Sequence, residues 1–299
     1  MNDIKNKSFN RRIRLFLTSV FILFVATALV VAYNLSGFDL GSLTKSGQLR
    51  VYFIDVGQGD CTLFVLDDIS IIIDCGESEY ADYVIYKAKS YGVTEFTCVI
   101  GSHPHSDHIG GMGEILSEIP AETVLIPQVD EEYITTSLYY DFIDAAQNCG
   151  ASISYAYAGD IYEFGPLSVE IFSPTETDSD LNNASIVCRI SYNDVSFLLT
   201  GDVETDAEEI LLENFSDISC TVLKVAHHGS KYSSCEEFIT AASPTYAVIE
   251  VGAYNLYGHP TDETLEKLIN IGALVYRTDE DGTIIMYTDG YSITVETEK

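Results

Sequence analysis

The chain has 299 residues, 46% hydrophobic and 11% aromatic, enough for one large domain or two small ones with a sizeable core. Its formal net charge is −31. Residues 1–14 hold five of the 15 basic residues and one acid, leaving 10 bases against 45 acids, a formal −35, in the remainder. A body this acidic repels polyanions at long range, which excludes a broad basic nucleic-acid-binding surface and demands a local site for any phosphate ligand.

In chain order, residues 1–14 read as a basic cytoplasmic tail. Residues 15–33, LFLTSVFILFVATALVVAY, form an uncharged apolar run of 19 residues, long enough to span a bilayer as a helix. The basic flank on its N-terminal side predicts a single-pass signal anchor in the cell membrane, with the catalytic region extracellular. The alternative is cleavage near Ala32 and secretion. Residues 34–48 read as a linker and 49–299 as the folded domain. Strands are predicted at 50–54, 61–66 and 69–74, a helix at 79–91, a strand at 97–102, a helix at 109–119, a strand at 123–126 and a helix at 131–148. Strands then follow at 167–172, 185–192 and 195–200, a helix at 203–215, and a strand at 220–226. Helices at 234–242 and 261–271 flank a strand at 246–251, and strands at 273–276, 283–287 and 292–296 close the chain. This alternation predicts a layered α/β architecture. Seven cysteines, an odd number without a C-x-x-C pair, read as mostly buried thiols, not a disulfide framework.

All six histidines fall into three clusters: SHPHSDH at 102–108, AHHGS at 226–230 and GHP at 258–260. Imidazole is the commonest protein metal ligand. His103, His105, Asp107 and His108 place four donors within six residues. That density suits two ions side by side, about 3.5–4 Å apart, better than a turn with surface histidines. His103 and His105 can share one ion, and Asp107 and His108 can reach a second. Asp202, after the strand 195–200, is the candidate bridging carboxylate; by itself it also fits an N-cap for the next helix. Adjacent side chains on a strand point to opposite sides, so one of His227 and His228 is expected as a ligand unless the chain turns there. His227 is the choice, with His228 either supporting a ligand from behind or facing substrate. Gly229 and Ser230 offer an amide and a hydroxyl to an anionic oxygen. His259 fits a ligand, a transition-state donor or a plain loop histidine. Asp74 is placed to orient a ligand histidine through its second ring nitrogen, and Asp55 to fix a tight turn.

These motifs together resemble the metallo-β-lactamase fold, in the variant found in the C-terminal domain of ComEC-type competence proteins. The matching strings are DVGQGD (55–60), IDCG (73–76), SHPHSDHIGG (102–111), NASIV (183–187), LTGD (199–202), LKVAHHGS (223–230), NLYGHP (255–260) and YRT (276–278). The resemblance implies an αββα sandwich with two divalent ions, zinc or manganese, at one edge. It implies His103 and His105 at the first ion, Asp107, His108 and His227 at the second, and Asp202 between them. A third histidine expected for the first ion near 181–185 is replaced by Asn182 and Asn183, which makes that site the weaker one and suits an oxygen-preferring ion. The expected function is an extracytoplasmic phosphodiesterase acting on DNA, single-stranded by the resemblance. Asp107, His228, Ser230 and Lys224 are its candidate catalytic groups. The multi-spanning channel of the full-length competence proteins has no counterpart in this sequence. Alternatives are a phosphodiesterase acting on cell-wall phosphocholine and a non-catalytic surface-binding domain. The cytoplasmic membrane is the one expected partner besides substrate; the sequence names no protein partner.

Overall fold

A computed structural model describes residues 47–134, 136–175 and 180–299. The anchor expected at 15–33, its tail and nearly all of the linker lie outside the described residues. Among the described residues no helix is long and apolar enough to cross a membrane.

Fifteen strands form two sheets among the described residues. The first contains β1 (Leu49–Phe53), β2 (Thr62–Leu66), β3 (Ile69–Ile73), β4 (Phe96–Ile100), β5 (Ala121–Ile126), β6 (Ser152–Tyr155), β14 (Ile284–Thr288) and β15 (Ile293–Thr297). Its order is β15-β14-β1-β2-β3-β4-β5-β6. The second contains β7 (Ile161–Phe164), β8 (Leu167–Ser173), β9 (Val187–Tyr192), β10 (Val195–Leu199), β11 (Val222–Lys224), β12 (Tyr246–Ile249) and β13 (Leu274–Arg277). Its order is β13-β12-β11-β10-β9-β8-β7.

Period-two alternation divides each central strand between two cores. Leu49, Val51 and Phe53 of β1, with Phe64, Ile71, Cys98 and Phe197, fill the space between the sheets. Tyr52, Leu63, Ile72 and Val99 face outward, under α1 (Ala81–Ser90), α3 (Met112–Glu118) and α4 (Leu138–Cys149). The second sheet's outer face, with Leu198, Leu223 and Ile249, packs under α5 (Thr205–Asn214), α6 (Glu236–Ala242) and α7 (Asp262–Asn270). Burial on both faces explains why Ile71, Ile72 and Ile73 of β3 read as a continuous apolar run instead of an alternating one. The result is the four-layer αββα arrangement expected from the sequence.

Four local differences have physical causes. The helix expected at 109–119 is two pieces, α2 (Ser106–Ile109) and α3, broken where Gly110 packs tightly against Glu77 and Ser78 and Gly111 against Cys75 and Ala81. The strand expected at 220–226 ends at Lys224, where the chain turns sharply. The edge strands β6 and β7 were not anticipated, since both are short and largely solvated and carry little hydrophobic signal. Nor was α8 (Thr278–Asp281), a single acidic turn. All seven cysteines are free, five of them buried.

β3, β4 and β5 run parallel to one another, and so do β10, β11, β12 and β13. The segments that follow β3, β4, β10, β11 and β12 carry Asp74, residues 103–108, Asp202, residues 227–228 and Glu250, and these meet at one edge of the sandwich. Phe197 packs edge-on against Phe64, ring centroids 5.3 Å apart, in the core between the sheets. Phe197→Ala is expected to cost about 3–5 kcal/mol of stability, since the rigid sheets cannot collapse around the void. Denaturant unfolding checks it; a loss under about 1 kcal/mol would show that this core is not close-packed.

Candidate metal centre

Asp74 follows β3 in a left-handed conformation, φ 57°, and is almost fully buried. Its Oδ1 accepts the Ser102 amide at 2.8 Å, and its Oδ2 accepts the Ser102 hydroxyl at 2.6 Å. His108 Nδ1 lies 2.8 Å from the same Oδ2. This contact fixes the ring and leaves His108 Nε2 facing Asp202 Oδ1 at 3.2 Å. Both of those atoms are buried and neither has a hydrogen-bond partner.

His228 repeats the pattern. Its Nδ1 donates to the Glu250 carbonyl at 2.8 Å. Its Nε2, buried and unpartnered, lies 3.4 Å from Asp107 Oδ2 and 3.6 Å from Asp202 Oδ2. Both histidines of the pair are left-handed, φ 51° at His227 and 53° at His228, so the chain turns here and the strand rule of opposite faces does not apply. His228 is buried, whereas 22% of the His227 side chain is exposed. His227 Nε2 is 3.8 Å from Asp202 Oδ2, and its Nδ1 is 3.5 Å from Glu204 Oε1.

His103 is buried, with Nδ1 3.1 Å from the Ser102 hydroxyl and 3.2 Å from the Ser185 hydroxyl. Its Nε2 is 3.0 Å from His105 Nδ1. The Ser185 hydroxyl also accepts the Asp202 amide at 3.1 Å, linking His103 to Asp202. Gly201 makes this approach possible: its φ is +49°, and a Cβ there would meet the Ser185 side chain at 2.8 Å. His103, His108 and Asp202 bring their donor atoms within metal-binding range of one another. Asp60, His108 and His228 do so as well, but Asp60 approaches the Nδ1 atoms of both histidines, at 3.6 and 3.3 Å, which Asp74 and Glu250 already engage.

Behind these groups lies a charged layer. Asp60 is buried and forms an ion pair with Lys224. Lys224 Nζ also donates to the Gly201 carbonyl at 3.1 Å and lies 4.0 Å from Asp202 Oδ1. Glu250 is buried and accepts the Cys61 amide at 3.0 Å and the Thr62 hydroxyl at 3.1 Å. Gly59 holds the Asp60 segment against the histidine loop; a Cβ there would meet the Asp107 carbonyl at 2.4 Å.

The site opens on a cavity of about 290 Å³, lined by His105, Asp107, Asn182, Asp202, His227 and His228 together with Gln58, Tyr257 and His259. Two sequence expectations are corrected by this layout. Lys224 does not face the cavity; it is 2% exposed, and its charge is spent on Asp60 and Gly201. Ser230 is buried too, its amide donating to the His227 carbonyl and its hydroxyl accepting the Tyr232 amide. Asn183 accepts the Glu204 amide at 2.9 Å, so Asn182, with a buried unpartnered Oδ1, is the asparagine at the cavity. Asp202 is not an N-cap, because α5 begins at Thr205 after Glu204. Asp60, Ser102, Ser185 and Glu250 were not singled out as site residues; only their place beside recognised motifs hinted at them.

Burial opposes charge throughout the centre, and the neighbours decide the outcome. For His228 burial is outweighed by Asp202, Asp60 and Asp107, which raise it to about 10. His108 is likewise raised well above the usual histidine range by Asp202, Asp60 and Asp74. Burial and the nearby His108 push His103 and His105 down. Burial acts first on His259, with His227 and His228 adding to it, and lowers it to about 4. Burial and the Asp60 charge raise Glu250 to about 8 despite Lys224. His108 and His228 overcome burial to hold Asp202 well below the carboxylate range. Imidazole nitrogens and carboxylate oxygens that converge, buried and without hydrogen-bond partners, fit a divalent ion, which takes the place of the protons that otherwise balance the charge.

Fold and site together define a metallo-hydrolase. The sequence pattern of the metallo-beta-lactamase superfamily matches residues 54–252, and the chain belongs to that superfamily. Within it, the chain is similar to ComE operon protein 3 of Bacillus subtilis (strain 168), 30% identical over 259 residues that cover 80% of this chain and 33% of that protein. It is also similar to Competence protein ComA of Neisseria gonorrhoeae, 28% identical over 233 residues, 77% of this chain and 31% of that protein. Both are competence proteins of the ComEC type. The chain thus spans about a third of the length of these relatives. Among solved structures it shares the fold of YhfI from Bacillus subtilis, with a TM-score of 0.53 at 14% identity over 81% of this chain and 99% of that one. Igni18, a metallo hydrolase from Ignicoccus hospitalis KIN4/I, gives 0.50 at 19% identity over 79% and 98%.

The metal-free protein is expected to lose stability as pH rises from about 6.5 to 10. His228, raised from 6.5 to about 10, contributes stability fully below pH 6.5 that is lost as pH passes 10. Glu250, raised from 4.5 to about 8, prefers its neutral form in the fold, so its contribution also declines between those values. Thermal melts in chelator across this range check it; a flat profile would show that the two groups are not charged as described.

Proposed function

We propose that this chain is an extracytoplasmic metal-dependent phosphodiesterase that cleaves DNA. The observation that carries this reading is the approach of His108 Nε2 to Asp202 Oδ1 at 3.2 Å and of His228 Nε2 to Asp202 Oδ2 at 3.6 Å, both nitrogens buried and without a hydrogen-bond partner, at an open cavity that His228 and Asp202 line. The competence relatives supply the DNA substrate class. The membrane part of the proposal rests on the apolar run at 15–33 and its basic flank: a single-pass anchor with the catalytic domain outside, or a secreted form if cleavage occurs near Ala32.

His103 and His105 are assigned to a first ion, and Asp107, His108 and His228 to a second, with Asp202 between them. His228 replaces the earlier choice of His227, since its free nitrogen points at Asp107 and Asp202. Divalent ions held by these residues would supply Lewis-acid polarisation of a phosphoryl oxygen and a water ionised near neutral pH. Asp74 orients the His108 ring, and the Glu250 carbonyl orients His228. Asn182 offers a weak oxygen donor at the cavity where a further histidine was expected, which keeps the first site the more labile and suited to manganese as well as zinc. His227, with part of its ring open, is placed to donate to a non-bridging phosphate oxygen.

Metal-loaded protein is expected to cut a fluorescent single-stranded oligonucleotide. Asp107→Ala and His105→Ala should each reduce the rate by more than about 100-fold, exceeding the usual effect of an outer partner. Unchanged rates in both would sink the mechanism. Asp74→Asn should weaken metal affinity by about 10- to 100-fold, measured by competition with a chelating dye. His228→Ala should lower the metal retained after dialysis while His227→Ala does not; the reverse result would return the ligand role to His227.

A further inference from the structure

The loop after β12 projects Tyr254 and Leu256, both fully exposed, and Tyr257, 71% exposed, beside the cavity. Aromatic and aliphatic side chains held in water at the rim of a polar site are the reverse of what burial favours. The loop is nonetheless firmly built. Asn255 Oδ1 accepts the amides of Tyr257 at 3.1 Å and His259 at 3.0 Å, while its Nδ2 donates to the carbonyls of Gly252 at 3.0 Å and His259 at 2.6 Å. The Gly252 amide donates to Gln58 Oε1 at 3.1 Å, docking the loop on the segment that leads to Asp60.

The Tyr257 ring stacks on His259, centroids 5.8 Å apart and planes 25° apart. Tyr257 also lines two adjoining hollows, together with Gln58, Ser106 and Asp107. One is the metal-centre cavity, and the other is a recess of about 260 Å³ lined by Glu77, Glu79 and Asp107. Among the described residues, neither hollow is lined by a lysine or arginine. A strand passing over Tyr257 therefore finds no lysine or arginine for its phosphates in either hollow. Its bases find an aromatic ring, and carboxylates able to accept from exocyclic amino groups.

We infer that Tyr257 is a stacking platform for an unpaired nucleobase next to the phosphodiester in the cavity, so that the substrate is gripped by its bases instead of its backbone. This rests on the nuclease reading above. A cavity of about 290 Å³ holds roughly one monomer unit, and the neighbouring base must then lie outside it, on Tyr257. A duplex keeps its bases stacked on one another and cannot use the platform without unpairing, which makes single strands the favoured substrate.

The test uses the full chain loaded with manganese and two oligonucleotides of equal length, one with bases and one abasic, both with a reporter at the end. Wild-type protein is expected to cleave the base-bearing strand with a kcat/KM about 5- to 150-fold higher, the contribution of stacking one base expressed as a ratio. Tyr257→Ala should collapse that ratio, mainly through KM, and Tyr257→Phe should restore it. Wild-type protein that cuts neither strand overturns the nuclease reading and the platform with it. Wild-type protein that cuts both strands alike, or a ratio untouched by Tyr257→Ala, overturns the platform alone. The exposed loop would then be left to a membrane or protein surface.

Discussion

The structure depends on how four buried carboxylates, Asp60, Asp74, Asp202 and Glu250, are neutralised at one edge of the sandwich. Each costs several kcal/mol to desolvate if left unpaired. The permanent cation among them is Lys224, and it is committed to Asp60. His108 and His228 supply the rest, held charged by the same acids that surround them. Glu250 favours its neutral form, so the charges to be balanced are those of Asp60, Asp74 and Asp202, and protons on His108 and His228 are the default. His108 beside Asp202 and His228 beside Asp107 are the places where a divalent ion would substitute for those protons.

That constraint explains why the loops at the strand ends are pinned so thoroughly. Ser102 serves Asp74 through both its amide and its hydroxyl, and Ser185 ties His103 to Asp202. Glu250 holds β2 through Cys61 and Thr62 of the first sheet, while its own carbonyl holds His228 in the second. The site thus staples the two sheets at one edge, and the apolar core between them fixes the spacing of the staple. Geometry this tightly set is what metal chemistry needs, because small displacements of ligands are costly.

Much of this was legible in the sequence. The H-x-H-x-D-H run is dense enough to declare itself, and Asp202 is flagged by the apolar strand before it and the glycine at its start. Asp74 follows a buried strand and ends up where a ring-orienting carboxylate should be. The buried layer was harder. Lys224 reads as a charged residue near a motif, and nothing local says that its side chain turns inward to Asp60. The pairing joins segments more than 160 positions apart, and only the folded sheets bring them together. At His227 and His228 the local rule itself does not apply. The alternation rule assumes extended backbone, and this pair adopts left-handed angles just after the strand ends at Lys224. Edge strands β6 and β7 escaped because solvated strands lack the periodic apolar signal that marks the central ones.

The charge of the molecule narrows how it can handle a polyanion. With 10 basic residues against 45 acidic ones beyond residue 14, it has no field to draw a phosphate backbone along its surface. Attraction must be local, at the metal centre, and any extended grip must come from groups indifferent to phosphate charge. The exposed tyrosines and leucine beside the cavity are such groups. On the nuclease reading proposed above, the field that fails to attract a polyanionic substrate would also repel a newly formed phosphate terminus. Such behaviour suits processing of a strand presented by something else better than capture of free DNA from dilute solution.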